Sequence, residues 1–138
     1  MRYSMIFFLL FTPHSIVFGQ GGIDHIKNQP YMKYASGVNC VDTPMDGSSD
    51  RICANLAYQK SDSLLVVIYN KLLNQEEESE SPEDIIKLQE DWRAFRDKHC
   101  GFVWKKYQGG SAQATTYLKC LTELTENRIK ELISLLEE

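Results

Sequence analysis

The sequence predicts an all-α protein: an up-down-up three-helix bundle with two disulfides and an irregular N-terminal arm. Two observations carry this prediction. Apolar residues recur every three or four positions in three long stretches, which is the period of amphipathic helices. Four cysteines also occur in a chain of only 138 residues, which is one domain at most. Three helices of about 25 residues joined by short connectors fold most simply as a bundle.

The first 19 residues have the pattern of a secretory signal peptide. Arg2 precedes an apolar run at 5–11, and the small residue Gly19 stands at the expected cleavage point. The segment is too short, and too interrupted by Pro13, to span a membrane stably. We therefore expect an exported protein, periplasmic or secreted, without a stable membrane span in the mature chain. The chain divides into a signal peptide at 1–19, an irregular arm at 20–48 and a helical domain at 49–138, to which Cys40 is tied.

The charge of the chain restricts its partners. The sequence has 15 Lys and Arg residues against 19 Asp and Glu, a net charge of −4. The signal peptide contains Arg2 and no acidic residue, so the mature balance is 14 against 19, or −5. An acidic surface argues against nucleic acid and is compatible with a basic protein partner.

The arm and the first helix differ in pattern. Residues 20–48 show no sustained period and contain several glycines and prolines, which indicates irregular structure. The N-cap chemistry at 48–50 then predicts a helix from Asp50 to about Gln75. Residues 64–69 alone could form a strand, but the length of the stretch and its lack of flanking turn residues favour a helix. The predicted core face of this helix consists of Tyr58, Leu65, Tyr69 and Leu72 and is interrupted by Asp62.

Turn chemistry separates the second and third helices. After an acidic connector, Ser81 is a candidate N-cap and Pro82 fits the first position of the second helix. That helix extends to about Tyr107 and ends at a glycine pair, after which Ser111 is the candidate N-cap of a third helix to about Leu136. The predicted face of the second helix has apolar or aromatic residues at Ile85, Leu88, Trp92, Phe95, His99, Val103 and Tyr107. The same face also carries Arg96 and Cys100. The predicted apolar positions of the third helix are Leu118, Leu121, Leu124, Leu132, Leu135 and Leu136.

The four cysteines predict two disulfides in an exported protein, with three possible pairings. Folding the second and third helices back on each other about the glycine pair places Cys100 level with Cys120, a geometry that a disulfide accepts. This pairing leaves Cys40 with Cys53 and ties the arm to the first helix. A pairing of Cys53 with Cys100 stays open, because both can lie near the same end of the bundle.

The same folding argument predicts a polar network inside the core. Folding the first two helices about their connector brings Asp62 level with Arg96 as a partly buried ion pair. Folding about the glycine pair sets Arg128 near Trp92, where the guanidinium can lie on the indole face. Gln89 completes the set. We interpret the network first as a device that fixes helix register, and second as a pocket that recognises a ligand.

Catalytic and metal chemistry find little support in the sequence. His99 and Cys100 are neighbours on a helix and point about 100° apart, so they cannot form a base and nucleophile pair. The other histidine of the mature chain is His25, without metal-ligand spacing, and disulfide-bonded cysteines cannot bind zinc. We therefore predict no catalytic residue, no metal and no cofactor.

The residues around the second helix also carry a resemblance. The string Gln-x-x-Trp-x-x-x-Arg-Asp-x-x-Cys at 89–100, with the glycine pair and Cys120 after it, is similar to the lysozyme inhibitor LprI-like N-terminal domain family. The resemblance covers roughly residues 40–135, and the chain departs from it at 48–52, where the family usually has Thr-x-x-Glu-x-Asn. Further matching positions are Cys53, Asp62, Leu65, Tyr69, Leu88, Arg128 and Leu132. The resemblance implies a small exported helical domain that inhibits lysozyme.

We therefore expect a non-enzymatic protein that binds and blocks a peptidoglycan-cleaving lysozyme, a basic partner that an acidic domain attracts. The alternative is an envelope protein-binding module, such as an immunity protein with another partner. The arm is long for a compact domain, and in this alternative it would contact the partner. A hydrolase is the least favoured class. The candidate partner contact is the compact turn of Gln108, Gly109, Gly110 and Ser111, which can enter a cleft with little further ordering. The alternative interpretation of this turn is a plain helix C-cap.

Overall fold

The computed structural model describes residues 25–41, 46–76 and 82–137. These ranges contain no β-strand, and they contain two disulfides, so the predicted all-α class with two disulfides is confirmed. The strand alternative for 64–69 is wrong, because these residues lie inside a long helix. The predicted signal peptide, part of the arm and the Ser81 cap lie outside the described residues.

Three long α-helices account for most of the described chain. A short helical turn at 25–27 and a 3₁₀ helix, Pro30–Gly37, precede them. The long helices are α1 (Gly47–Glu76), α2 (Pro82–Lys106) and α3 (Gln113–Leu136). The chain thus has more helical segments than the three that the sequence predicts. Among the described helices we find no apolar stretch of the length that a bilayer-spanning segment requires.

The core consists of two apolar clusters that both lie between α1 and α3. The first joins the N-terminal parts of these helices and the second joins their C-terminal parts, so α1 and α3 run in the same direction. α2 packs mainly on α3 and only lightly on α1. The predicted core face of α1 is confirmed, with exposed fractions of 0 to 3% for Tyr58, Leu65, Tyr69 and Leu72.

The first helix begins earlier than predicted, at Gly47. The Oδ1 atom of Asp46 accepts hydrogen bonds from the backbone N–H groups of Ser48 (3.1 Å) and Ser49 (2.7 Å). Asp46 therefore supplies the cap that the sequence analysis assigned to residues 48–50. These hydrogen bonds, above all the one from the Ser49 backbone, lower the pKa of the Asp46 carboxyl.

The start of α3 also differs from the prediction. α3 begins at Gln113, and the flanking Ala112 forms no side-chain cap. Ser111 precedes the helix by two residues, and the prediction that it caps α3 is wrong. Two backbone bonds form at this end: the N–H of Gln113 donates to the Gly110 carbonyl at 3.1 Å, and that of Thr116 to the Ala112 carbonyl at 2.9 Å.

The predicted apolar face of α2 is only partly buried. Leu88 and Phe95 are 45% and 53% exposed, whereas the buried residues of this helix are Gln89, Arg96 and Cys100. The predicted face covers so much of the helix surface that either of its two sides could point toward the core. The edge with hydrogen-bonding and disulfide partners on the other helices lies inside, and the edge with Leu88 and Phe95 faces solvent.

The described part of the arm is more regular than predicted and packs on α1. Asn55 is fully buried, and its Nδ2 donates to the Ile26 carbonyl and to the Tyr31 hydroxyl, both at 2.9 Å. Cys40 then bonds to Cys53 on α1. These contacts hold both the helical turn at 25–27 and the 3₁₀ helix against the first turns of α1.

Candidate functional site

Arg96 is the charged centre of the core. Its Nη1 donates to Asp62 Oδ1 at 3.1 Å and to Thr125 Oγ1 at 3.5 Å, and its Nε donates to Asp97 Oδ1 at 3.0 Å. The side chains of Arg96 and Asp62 are only 9% and 12% exposed. One guanidinium on α2 therefore contacts all three long helices, and the ion pair that the sequence predicts between Asp62 and Arg96 is present in the structure.

Tyr58 packs against this ion pair from α1. Its hydroxyl donates to Asp62 Oδ1 at 3.4 Å, and its ring centroid lies 5.8 Å from Arg96 Cζ. Burial raises the pKa of the Tyr58 phenol well above its ordinary value, against the opposing effect of Arg96. Burial alone would lower the pKa of Arg96, but Tyr58, Asp97 and Asp62 outweigh it and the net shift is upward. Both groups therefore keep their protons at neutral pH.

A second polar group surrounds Trp92. Arg128 Nε on α3 donates to Gln89 Oε1 on α2 at 3.1 Å, and Nη1 donates to Glu131 Oε2 at 2.9 Å. The Cζ atoms of Arg96 and Arg128 lie 5.1 Å and 5.8 Å from the Trp92 ring centroid, within cation–π range. The structure thus brings together all five residues of the predicted network.

The network has the chemistry of a structural device. Each guanidinium faces a carboxylate, so the buried charges are compensated. Gln89 Nε2 and Arg128 Nη2 are buried without a hydrogen-bond partner in the described part of the chain, and each such donor costs about 1–3 kcal/mol. The same part of the chain holds no group of three or more His, Cys, Asp or Glu residues placed to bind a metal. This geometry supports the interpretation that the network specifies helix register at some cost in stability.

The two disulfides lie at the end of the molecule that carries the turn between α2 and α3. Cys40 bonds to Cys53 and Cys100 to Cys120, with Cα–Cα distances of 5.5 Å and 5.7 Å. These are the pairs that the folding argument favours, and the alternative pairing of Cys53 with Cys100 does not occur. Cys100 is fully buried, so this bond forms part of the first apolar cluster.

The turn between α2 and α3 is exposed but held by both helices. All four residues of the candidate contact, 108–111, are exposed. Gly109 has a φ of 78°, the left-handed conformation that favours glycine. Its N–H donates to Gln113 Oε1 at 3.3 Å, while Gln113 Nε2 donates to the Trp104 carbonyl at 3.0 Å. The turn is therefore a C-cap of α2 with a fixed backbone.

Besides Tyr58, which the sequence predicts only as a core residue, three members of the network were not predicted. Asp97 follows Arg96 directly, and Glu131 stands three positions after Arg128, a spacing at which helical side chains meet; both signals were available. Thr125 gave no signal, because a buried threonine is recognisable only once its partner on another helix is known.

The fold and the network together define a class: a small all-helical protein linked by two disulfides, with buried ion pairs in its core. The chain belongs to the LprI family, whose model, described as "Lysozyme inhibitor LprI", matches residues 40–132. The matched range includes all four cysteines and every residue of the network. No curated protein and no solved structure matches the chain. Two disulfides in an inhibitor family are consistent with an extracellular or periplasmic protein.

Proposed function

We propose that this chain is an exported, non-enzymatic protein that binds a lysozyme and blocks its cleavage of peptidoglycan. The observation that carries the proposal is the family match over residues 40–132, which spans both disulfides and the polar network. In this proposal the three long helices form an up-down-up bundle that serves as a rigid scaffold, and residues 1–19 direct export.

The turn at 108–111 is the proposed contact with lysozyme. Its residues are exposed, and its backbone is held through Gln113 and by the Cys100–Cys120 disulfide near its base. A contact that is already ordered loses little conformational entropy on binding, which favours affinity. The exposed charged side chains along the helices lose more rotamer freedom and make poorer anchors.

Basic residues next to the turn also support a contact with lysozyme at residues 108–111. Lys105 and Lys106 form the basic last turn of α2, directly before the turn, although the whole chain is acidic. Lysozyme cleaves glycans with two carboxyl groups in its cleft. A turn flanked by lysines would therefore meet carboxylates at the centre of the cleft, while the acidic remainder of the chain attracts the basic body of the enzyme.

A cell-wall turbidity assay tests the proposal. The purified exported chain, with both disulfides formed, is mixed with lysozyme at increasing molar ratios. We expect lysis to slow in proportion to complex formation. Undiminished lysis at a several-fold molar excess would contradict inhibition. The alternative is a protein-binding module, and a pull-down from the envelope would then identify its partner.

The turn is tested separately with the double variant Gln108→Ala, Ser111→Ala. Neither side chain is needed for the φ of Gly109, so we expect an unchanged circular dichroism spectrum and at least a tenfold weaker inhibition, equivalent to about 1.4 kcal/mol. Lys87→Ala, at the opposite end of α2, is the matched control and keeps full inhibition. If the double variant inhibits as well as the original chain, the turn is only a helix cap.

A further inference from the structure

A cavity of about 690 Å³ opens between the arm, the C-terminal half of α2 and the first turns of α3. It lies beside the turn between α2 and α3 but does not include residues 108–111 among its described lining. Its volume falls within the range of about 300–1,000 Å³ that is typical of small-molecule sites. None of the described lining residues belongs to the polar network around Arg96.

Three aromatic side chains form walls of this cavity: Tyr31 on the arm, Trp104 on α2 and Tyr117 on α3. Trp104 is 42% exposed and meets Tyr117 edge-on, with 5.5 Å between the ring centroids. The hydroxyl oxygen of Tyr31 accepts a hydrogen bond from the buried Asn55, and Arg51 lies over its ring. Tyr31 is therefore held by two partners, and Trp104 and Tyr117 pack on each other, so a ligand would have less side-chain freedom to remove.

A glycine near the C-terminal end of α2 lines the cavity. Glycine costs an α-helix about 0.8–1 kcal/mol relative to alanine. Gly101 lines the cavity, and a Cβ atom built on it would meet nothing within 4 Å. A larger side chain can therefore be placed at this position of the cavity wall without a clash at its Cβ atom.

The described lining of the cavity favours an uncharged ligand. Among the described lining residues there is no Asp, Glu, Lys or Arg, and the polar groups are the Gln29 amide, the His25 imidazole and the tyrosine hydroxyls. Gln29 Nε2 lies 3.3 Å from His25 Nε2 and 3.1 Å from the His25 carbonyl oxygen, so these groups are already positioned at one side of the cavity. Aromatic faces and uncharged hydrogen-bonding groups thus line the same space.

We propose that this cavity binds a neutral saccharide. The C–H face of a pyranose ring is apolar and stacks on aromatic rings, and the hydroxyl or acetamido groups at its edge match amide, imidazole and phenol partners. A purely apolar ligand would leave the remaining hydrogen-bonding capacity of these groups unmatched. A charged ligand would meet no charged group among the described lining residues, and Arg51, which lies over the Tyr31 ring, donates to the Ser111 carbonyl. The proposal does not depend on inhibition of lysozyme, which is measured independently.

Titration of the purified exported chain with chitotetraose and with cellotetraose tests the proposal. The chain has two tryptophans, so the binding signal is read from intrinsic fluorescence and checked by calorimetry. We expect at least one of the two oligosaccharides to bind with a Kd on the order of 1 mM or tighter. Failure of both to bind would overturn the proposal, and so would saturable binding of an apolar dye alone.

Gly101→Leu is the decisive variant, because it adds a bulky side chain at a residue that lines the cavity. We expect at least a tenfold loss of saccharide affinity, with a melting temperature equal to or above that of the original chain. Phe102→Ala is the matched control: Phe102 is the next residue, is 69% exposed and is not among the described lining residues, so its loss should leave affinity within twofold. If Gly101→Leu does not fold, the saccharide affinity of Trp104→Ala tests the same cavity. Unchanged binding in a folded Gly101→Leu or Trp104→Ala variant would place the saccharide elsewhere.

Discussion

At the scale of single residues, Arg96 shows how the core tolerates a charge. Its guanidinium contacts a buried carboxylate on α1 and an exposed carboxylate on its own helix. Removing water from ions is costly, so such an arrangement is stable only while both the charge and the hydrogen bonds are matched. Asp62 and Asp97 are therefore expected to differ in importance, although both lie about 3 Å from Arg96.

Asp62→Ala should destabilise the protein by about 3 kcal/mol, because it leaves Arg96 buried with only one solvent-exposed partner. Asp97→Ala should cost less than about 1 kcal/mol, since the Asp97 side chain is 62% exposed and its attraction is screened by water. Equilibrium unfolding in urea measures both free energies. Equal losses for the two variants would show that the burial of Asp62 is not what makes its ion pair important.

At the scale of elements, the two disulfides have different surroundings. Cys100 is fully buried in the first apolar cluster, whereas Cys40 lies on the exposed arm. Thiol–disulfide exchange requires an attacking thiolate to reach a sulfur atom, so its rate depends on access. The bond that ties the arm to α1 is therefore the more vulnerable of the two, while the bond near the base of the turn is protected.

Mild reduction should open Cys40–Cys53 before Cys100–Cys120. Alkylation after graded exposure to reductant, followed by peptide mass mapping, gives the order directly. The variant with Cys40→Ala and Cys53→Ala should lose about 3 kcal/mol on the chain-entropy argument and should keep the second bond. Earlier reduction of Cys100–Cys120 would mean that the α2–α3 end opens more readily than its burial indicates.

At the scale of the whole molecule, the charged residues of α2 are distributed unevenly, with acidic residues at its start and basic residues at its end. Glu83 and Asp84 lie in its first turn, and Lys105 and Lys106 lie in its last turn. Each pair matches the sign that the helix dipole favours at its end. The turn between α2 and α3 therefore follows the basic end of α2, although the chain as a whole is acidic. The net charge and the local charge predict opposite effects on lysozyme binding when the two lysine charges are removed.

The double variant Lys105→Gln, Lys106→Gln separates these two effects. If long-range attraction by net charge dominates, removal of two positive charges should strengthen binding to basic lysozyme. We expect the opposite, a five- to tenfold weaker inhibition, because in the proposed complex the lysines face carboxylates of the cleft. The double variant Lys87→Gln, Lys130→Gln changes the net charge equally on other parts of the surface and should not weaken inhibition. Weaker inhibition by both variants would contradict a contact at the turn.

Much of the architecture was predictable because it depends on local periodicity and on distance along the chain. The helices follow from apolar spacing, and the register of Asp62 with Arg96 and of Cys100 with Cys120 follows from equal distances to a turn. These relations hold for any antiparallel pair of helices with a short connector, whatever the details of packing. Helix ends were less predictable, because Asp46, Ser48 and Ser49 all offer acceptable cap chemistry.

The sequence by itself determined the helical class, the pairs of cysteines that could meet and the residues available for a buried polar network. Only the tertiary structure decided which edge of α2 faces inward, because the rotation of a helix about its axis depends on partners from other helices. It also decided that the arm folds onto α1 through Asn55, and that Tyr31, Trp104 and Tyr117 enclose one cavity. These residues come from three separate segments, and no periodic pattern within one segment can place them together.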